Sequence, residues 1–318
     1  METLTEEQRR AVSPEPDPGE AAGRGRSPSM ALLVAMRPPE WIKNLLVFAG
    51  LLFSQKLNEG PQIVDAVVTF VAFCAISSVV YLVNDLRDAP LDRRHPEKRH
   101  RPIASRELAE PTAAVAAAVL AVIAIGISFA GVSAGVAGLV ALYGVTTVAY
   151  SAILKRLVII DVMTIASLFI LRVVAGAVAV EAHASEWLLL CTAMLALFLG
   201  FTKRRQEAMA EMGEVAKGGT SRPVLEHYSL PFLDQMVAMV TAGAIMSYAI
   251  YAVNSPLIGS KMLATGPSVL YGIFRYLYLI YDRRDTRSTA AILTEDPGMV
   301  FAGISWIGVA LLMLYVVD

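Results

Sequence analysis

Residues 62–83, QIVDAVVTFVAFCAISSVVYLV, run without a break into residues 84–92, NDLRDAPLD. The first stretch is long enough, as a helix, to cross roughly 30 Å of hydrocarbon. In lipid the backbone must satisfy its own hydrogen bonds, so such a stretch is helical. A transmembrane β-strand would alternate polar and apolar residues over about ten positions, and this stretch does not. The second stretch places Asn84, Asp85, Asp88 and Asp92 where the helix leaves the membrane. One membrane helix with an acidic end is therefore the first expectation.

Working outward, the pattern repeats. The chain has 318 residues, 56% of them hydrophobic and 17% charged, against about 25% charged in soluble domains. Its mean hydropathy is +0.56. Nine spans are expected, near 38–54, 62–83, 111–130, 133–154, 158–180, 186–203, 233–253, 262–281 and 298–316. The fold class is all-α, a polytopic bundle around a cavity open to the cytoplasm. Met30–Met36 is too short to span and is expected to lie along the interface. Residues 1–28, rich in proline, glycine and mixed charge, read as a disordered cytoplasmic tail preceding a membrane domain at 29–318. Cys74 and Cys191 lie in apolar blocks with no CxxC partner, so they read as small core residues. The four histidines show no metal-ligand spacing. A net charge of −1 gives no reason to expect nucleic acid as a partner.

The cations set the orientation. All but four of the 27 Lys and Arg residues fall in the N-terminal stretch, the 155–156 turn and the loops at 84–110, 203–232 and 282–297. The exceptions are Lys56 and Lys261 in outer turns, and Arg172 and Arg275 within spans. The positive-inside rule then puts the N-terminus inside and the C-terminus outside. Polar groups gather at one rim, whereas a transporter would place them near the bilayer midplane.

The chemistry sits at that rim. Asp85 and Asp88 are three apart and share a helix face. Asp92 extends that face, with Pro90 expected to kink or end the helix. Convergent hard carboxylates suit Mg²⁺ bridging to substrate phosphates; the bland alternative is a solvated acidic helix end. A basic run follows, from Arg93 to Arg101, and Lys98 and Arg101 are its candidate substrate contacts, although positive-inside bias accounts for part of it. The third inner loop opens with Lys203, Arg204, Arg205, Gln206 and Glu207. Lys203 and Arg204 either anchor the helix or bind phosphate, and Glu207 either completes a metal shell or pairs with a neighbouring cation. Lys43, Asn84, Tyr150 and Lys155 are further candidates at the same rim, the 150–161 stretch otherwise reading as an interfacial turn. Arg172 and Arg275 are costly within spans and are expected to face a polar cavity.

Asn84-Asp85-x-x-Asp88-x-x-x-Asp92, followed by His95-Pro96-x-Lys98-x-x-Arg101-Pro102-Ile103-Ala104-Ser105, resembles the first signature of the UbiA superfamily of intramembrane prenyltransferases. Span count and orientation agree over nearly the whole chain after the tail. Arg37-Pro-Pro-Glu-Trp41-Ile-Lys43-Asn44 and Phe274-Arg275-Tyr276-Leu-Tyr278 resemble, more narrowly, its phosphoribosyltransferase branch. That branch joins 5-phosphoribose from phosphoribosyl diphosphate (PRPP) to a polyprenyl phosphate such as decaprenyl phosphate, in arabinan precursor synthesis for cell walls.

The resemblance implies Mg²⁺ on Asp85, Asp88 and Asp92, gripping a diphosphate. It further implies that Lys43, Lys98, Arg101, Lys203 and Arg204 divide between two phosphates. Two departures stand out. The second aspartate-rich motif, DxxxD, is replaced by Lys203-Arg204-Arg205-Gln206-Glu207. Arg106 stands where the signature continues with glycine, so a different turn is expected there. The rival readings are a conventional prenyltransferase, using a prenyl diphosphate donor and another acceptor, and a transporter. A homo-oligomer is compatible with the sequence.

Overall fold

The computed structural model describes residues 26–54, 56, 58–96, 98–215, 227–255 and 259–315. The tail expected at 1–28 lies largely outside them. Its last residues are structured: Ser27 caps α1 (Pro28–Ala35), and Arg26 pairs with Glu107 at 3.1 Å. A 3₁₀ segment, Pro38–Val47, leads into the short α2 (Phe48–Phe53). There follow α3 (Gly60–Asp92), α4 (Glu110–Gly131), α5 (Ala134–Ala152), α6 (Ile160–Ala179) and α7 (Glu186–Val215). The chain ends with α8 (Leu230–Val253), α9 (Gly266–Tyr281), α10 (Thr289–Glu295) and α11 (Pro297–Tyr315).

Among the described residues the architecture is all-α. Seven helices, α3 to α8 and α11, are long and apolar enough to cross a membrane. The other two expected spans are broken. The first, at 38–54, is the 3₁₀ segment plus a six-residue helix. Its tandem prolines, Pro38 and Pro39, remove two backbone donors at the start. The eighth, at 262–281, is a 3₁₀ turn, Gly259–Thr265, followed by the 16-residue α9.

Burial separates inner from outer helices. The apolar windows of α3 and α6 are 61% and 56% buried, against 22–33% in the other five. These two therefore form the centre, and α6 touches α2, α3, α5, α7 and the 3₁₀ segment. Outer faces carry large apolar side chains such as Val122, Phe129, Val145, Phe301 and Ile304, as a lipid-facing surface requires. Small residues mediate close approach, as in other membrane bundles. A Cβ on Gly176 would lie 1.8 Å from the Val47 carbonyl oxygen, and one on Gly50 would lie 2.6 Å from the Ala177 nitrogen. Only glycine lets the 3₁₀ segment and α2 lie flat on α6.

The expectation that Pro90 kinks or ends the helix is corrected in the second of its two alternatives. Pro90 does not end α3: the helix continues to Asp92, and Arg93 N–H donates to the Ala89 carbonyl at 3.1 Å, resuming the ladder beyond the proline. The turn after Ser105 adopts a left-handed geometry of the kind that favours glycine, with Arg106 itself at φ 67°. It can do so because Ile103 and Leu108, both 1% exposed, anchor the loop on either side. They pack with Ala31 and Ala35 of α1 and with Leu82 and Ala89 of α3, so α1 holds the acidic end of α3 and its basic loop together.

Candidate active site

On a straight helix Asp92 returns to within about 20° of Asp85, while Asp88 lies about 60° away. The structure follows this arithmetic. Asp85 and Asp92 are 3% and 5% exposed, and one nitrogen of Arg101 donates to both, at 3.2 and 2.7 Å. Arg37 adds a second guanidinium to Asp85 at 2.8 Å, and stacks 4.8 Å over the Tyr81 ring. Asp88 is more exposed and pairs with its neighbour Arg87 at 3.3 Å. Arg87 also donates to the Ser151 carbonyl at 3.2 Å, joining the end of α3 to the end of α5 and the turn that bears Lys155.

The carboxylates fit a divalent cation in chemistry: hard oxygens, those of Asp85 and Asp92 nearly buried, facing the guanidinium groups of Arg101 and Arg37. As arranged, Arg101 takes the position between them, and among the described residues no three His, Cys, Asp or Glu side chains converge as metal ligands. Asn84 is half-buried, and its amide has no protein partner among the described residues. Lys98 is half-buried on the loop that carries Arg101.

The three successive cations of α7 diverge, being about 100° apart on the helix. Lys203 is exposed and lies within electrostatic reach of Glu40, Lys43 and Glu207. Lys43 forms a close ion pair with Glu40, so two lysines flank one carboxylate. Arg204 is 4% exposed. Its three nitrogens go to Asp161 at 2.7 Å, to Glu207 in a close pair, and to the Tyr150 hydroxyl at 2.9 Å. Tyr228 donates to the same Asp161 at 2.8 Å and accepts from Ile159 N–H at 2.6 Å. Arg204 is therefore a buried structural cation, not an open phosphate ligand, and Glu207 and Tyr150 serve it. Arg205 turns to Asp234 at 2.6 Å and lies 3.7 Å over the Tyr281 ring.

The two arginines within spans also differ from expectation. Arg172 is 5% exposed and wholly engaged by α5, α6 and the 3₁₀ segment. Arg275 is not brought to the acids. It makes two hydrogen bonds to Asp296, at 3.1 and 2.9 Å, at the start of α11. A groove of about 620 Å³ between α8 and α9, lined by residues such as Val237, Ile245, Phe274 and Leu277, shares none of the candidate residues.

Sequence reading missed Arg37, Glu40 and Tyr81 as site residues, and took Asp161 for part of a turn. The available signal was Asp161 itself, an acid at the start of an apolar block, which in lipid needs a partner.

A solved structure of a UbiA homologue from Archaeoglobus fulgidus, bound to DMAPP and Mg²⁺, superimposes with a TM-score of 0.67. It covers 90% of this chain and 99% of that one, at 18% identity. A solved digeranylgeranylglyceryl phosphate synthase gives 0.62 over 91% and 98%, at 16% identity. Among curated relatives, decaprenyl-phosphate phosphoribosyltransferase of Mycolicibacterium smegmatis is 35% identical over 236 residues, 73% of each chain. The enzyme of that name in Corynebacterium glutamicum is 35% identical over 69% of this chain and 66% of its own length. That in Mycobacterium tuberculosis is 32% identical over 69% of this chain and 72% of its own. Residues 44–315 match the UbiA prenyltransferase family, and with these relatives they show that the chain is a membrane transferase belonging to that family.

Proposed function

We propose that this transferase moves the 5-phosphoribosyl group of PRPP to a polyprenyl phosphate, decaprenyl phosphate being the natural candidate, and releases diphosphate. The observation that carries this reading is the division of charge. Asp85, Asp92 and Asp88 end α3 beside Arg101, while Lys43 and Lys203 flank Glu40 within reach of Arg37, which also holds Asp85. A donor with a diphosphate at one end and a monophosphate at the other matches that division. The relatives named phosphoribosyltransferases support it.

In the reaction the C1–O bond to diphosphate breaks, leaving positive charge on the ribosyl carbon. A phosphate oxygen of the lipid attacks the opposite face, so the configuration at C1 inverts. The acceptor is already anionic and needs no general base. Asp85, Asp92 and Asp88 would hold a divalent cation, Mg²⁺ by preference, which supplies charge neutralisation for the leaving diphosphate. Lys43 and Lys203 take the 5-phosphate through charge-assisted hydrogen bonds. Lys98 and Arg101 stand beside the acids, where the lipid phosphate must approach.

The same proposal includes nine crossings with the acidic rim in the cytoplasm of a cell bounded by the plasma (inner) membrane. The 3₁₀ segment at about 2.0 Å per residue and α2 at 1.5 Å together reach roughly 29 Å, close to the hydrocarbon thickness. The role in arabinan precursor synthesis rests on the resemblance to the phosphoribosyltransferase branch alone.

A second reading has one observation in its favour: the fold neighbours solved with prenyl diphosphates. One experiment separates the two. Purified protein is given labelled PRPP with decaprenyl phosphate, or labelled geranyl diphosphate with an aromatic acceptor. Label from PRPP entering the lipid fraction, dependent on Mg²⁺, is expected. Consumption of the prenyl diphosphate with PRPP untouched would overturn the assignment.

A further inference from the structure

A 3₁₀ helix has strained hydrogen bonds, and runs beyond three or four residues are uncommon. Pro38–Val47 is ten residues long, so something outside it must hold its shape. It carries Glu40 and Lys43 and is preceded by Arg37, the charges that face Asp85 and Lys203.

Arg172 is the fixture. Its Nε donates to Asn44 Oδ1 at 2.7 Å, one terminal nitrogen to the Tyr143 hydroxyl at 2.6 Å, and the other to the Leu168 carbonyl at 2.9 Å. Asn44 in turn donates from its amide to Cys74 Sγ on α3, at 3.4 Å. The guanidinium carbon lies 4.6 Å over the Tyr143 ring and 5.4 Å from that of Phe169. No carboxylate lies within ion-pair distance of it among the described residues. A buried cation without an acid is costly in a membrane bundle. Here it is spent on joining α3, α5 and α6 to the residue next to Lys43.

We infer that Arg172 is a positioning residue: its planar fork fixes the 3₁₀ segment through Asn44, and so sets where Lys43 and Arg37 meet an anionic substrate. It does not itself touch substrate. The inference rests on the proposed role of Lys43 toward the donor phosphate, and its structural half can be read without that role.

Trp41 is the reporter, because it lies on the segment and its indole N–H donates to Ser78 Oγ at 3.2 Å. With Trp187 and Trp306 replaced by phenylalanine, emission comes from Trp41 alone. Arg172→Lys keeps the charge but cannot fork. It is expected to shift Trp41 emission to the red and to raise KM for PRPP about 10-fold, with kcat within about threefold, the signature of a misplaced binding group. Asn44→Ala should reproduce both effects, and the double variant should add nothing further. Gly176→Ala displaces Val47 without altering charge, and should give the same pair of effects. It also carries the test, with Asn44→Ala, if Arg172 variants do not fold.

A raised KM with Trp41 unmoved and Asn44→Ala silent would make Arg172 a direct ligand and overturn the inference. So would wild-type emission and KM in Arg172→Lys. If the unsubstituted protein ignores PRPP, the proposed function fails, while the Trp41 shifts still decide the placement of the segment.

Discussion

Asp92 and Arg204 show how far a side chain's role depends on direction. Asp92 sits beyond a proline, yet it shares Arg101 with Asp85. Asp85→Asn and Asp92→Asn should therefore lower turnover alike, each at least about 100-fold, since a held cation contributes several kcal/mol of charge stabilisation. Steady-state rates in detergent check this; near-normal activity in either variant would remove that carboxylate from the chemistry. Lys203 and Arg204 are adjacent but should behave in opposite ways. Lys203→Ala leaves a packed bundle and should weaken PRPP binding about 10- to 100-fold, the worth of a charge-assisted phosphate contact. Arg204→Ala leaves Asp161 buried without its ion-pair partner, which costs about 3–5 kcal/mol, so loss of folded protein is expected before any kinetic change. Thermal unfolding beside PRPP titration separates them, and a stable Arg204→Ala with weakened PRPP binding would restore it as a ligand. The sequence marked all four residues as important but not their directions. Arg204 and Asp161 are 43 positions apart, and no local pattern pairs them.

At the level of the element, apolar runs located the seven long helices well, because lipid leaves the backbone no other choice. The same rule could not tell an α-helix from the 3₁₀ segment at Pro38–Val47, since hydropathy reads length and not pitch. Nor could it show that α9 is short and tied to its neighbour. Arg275 of α9 and Asp296, at the start of α11, form that tie, and Asp296 Oδ1 also accepts from Met299 N–H at 3.0 Å. The Arg275 hydrogen bond holds the Asp296 carboxyl below the usual carboxylate range. A depressed folded value contributes stability above the ordinary value, about 3.9, and loses it as pH falls through the folded one. Arg275→Gln and Asp296→Asn should accordingly lower Tm by similar amounts at pH 7, non-additively, with KM for PRPP unchanged. The difference from the unsubstituted protein should vanish in acid below the depressed value. A rise in KM for PRPP in Arg275→Gln would return this residue to the site.

Across the whole molecule, one end is laced by ion pairs and hydrogen bonds between elements. Arg93 of the loop after α3 pairs with Glu110 at the start of α4, and Arg87 meets the end of α5. Asp161 at the start of α6 holds Arg204 of α7, Arg205 holds Asp234 near the start of α8, and Gln206 donates to the Asp285 carbonyl after α9. At the opposite end Lys56, in the turn after α2, donates to the Val180 and Glu181 carbonyls just past α6, while Phe53, Tyr251 and Trp306 pack edge to face. The laced end carries the cationic loops; in the proposed orientation, which follows the positive-inside rule, it faces the cytoplasm, where a soluble, multiply charged donor such as PRPP would meet it. In a background with Cys74 and Cys191 replaced by alanine, His100→Cys and Thr286→Cys should resist a membrane-impermeant thiol reagent added to intact cells and react after permeabilisation. His183→Cys, in the turn between α6 and α7, should react without permeabilisation. The reverse pattern would put the acids, the lysines and the proposed donor site on the outer face, and the cytoplasmic-donor argument would fall with it.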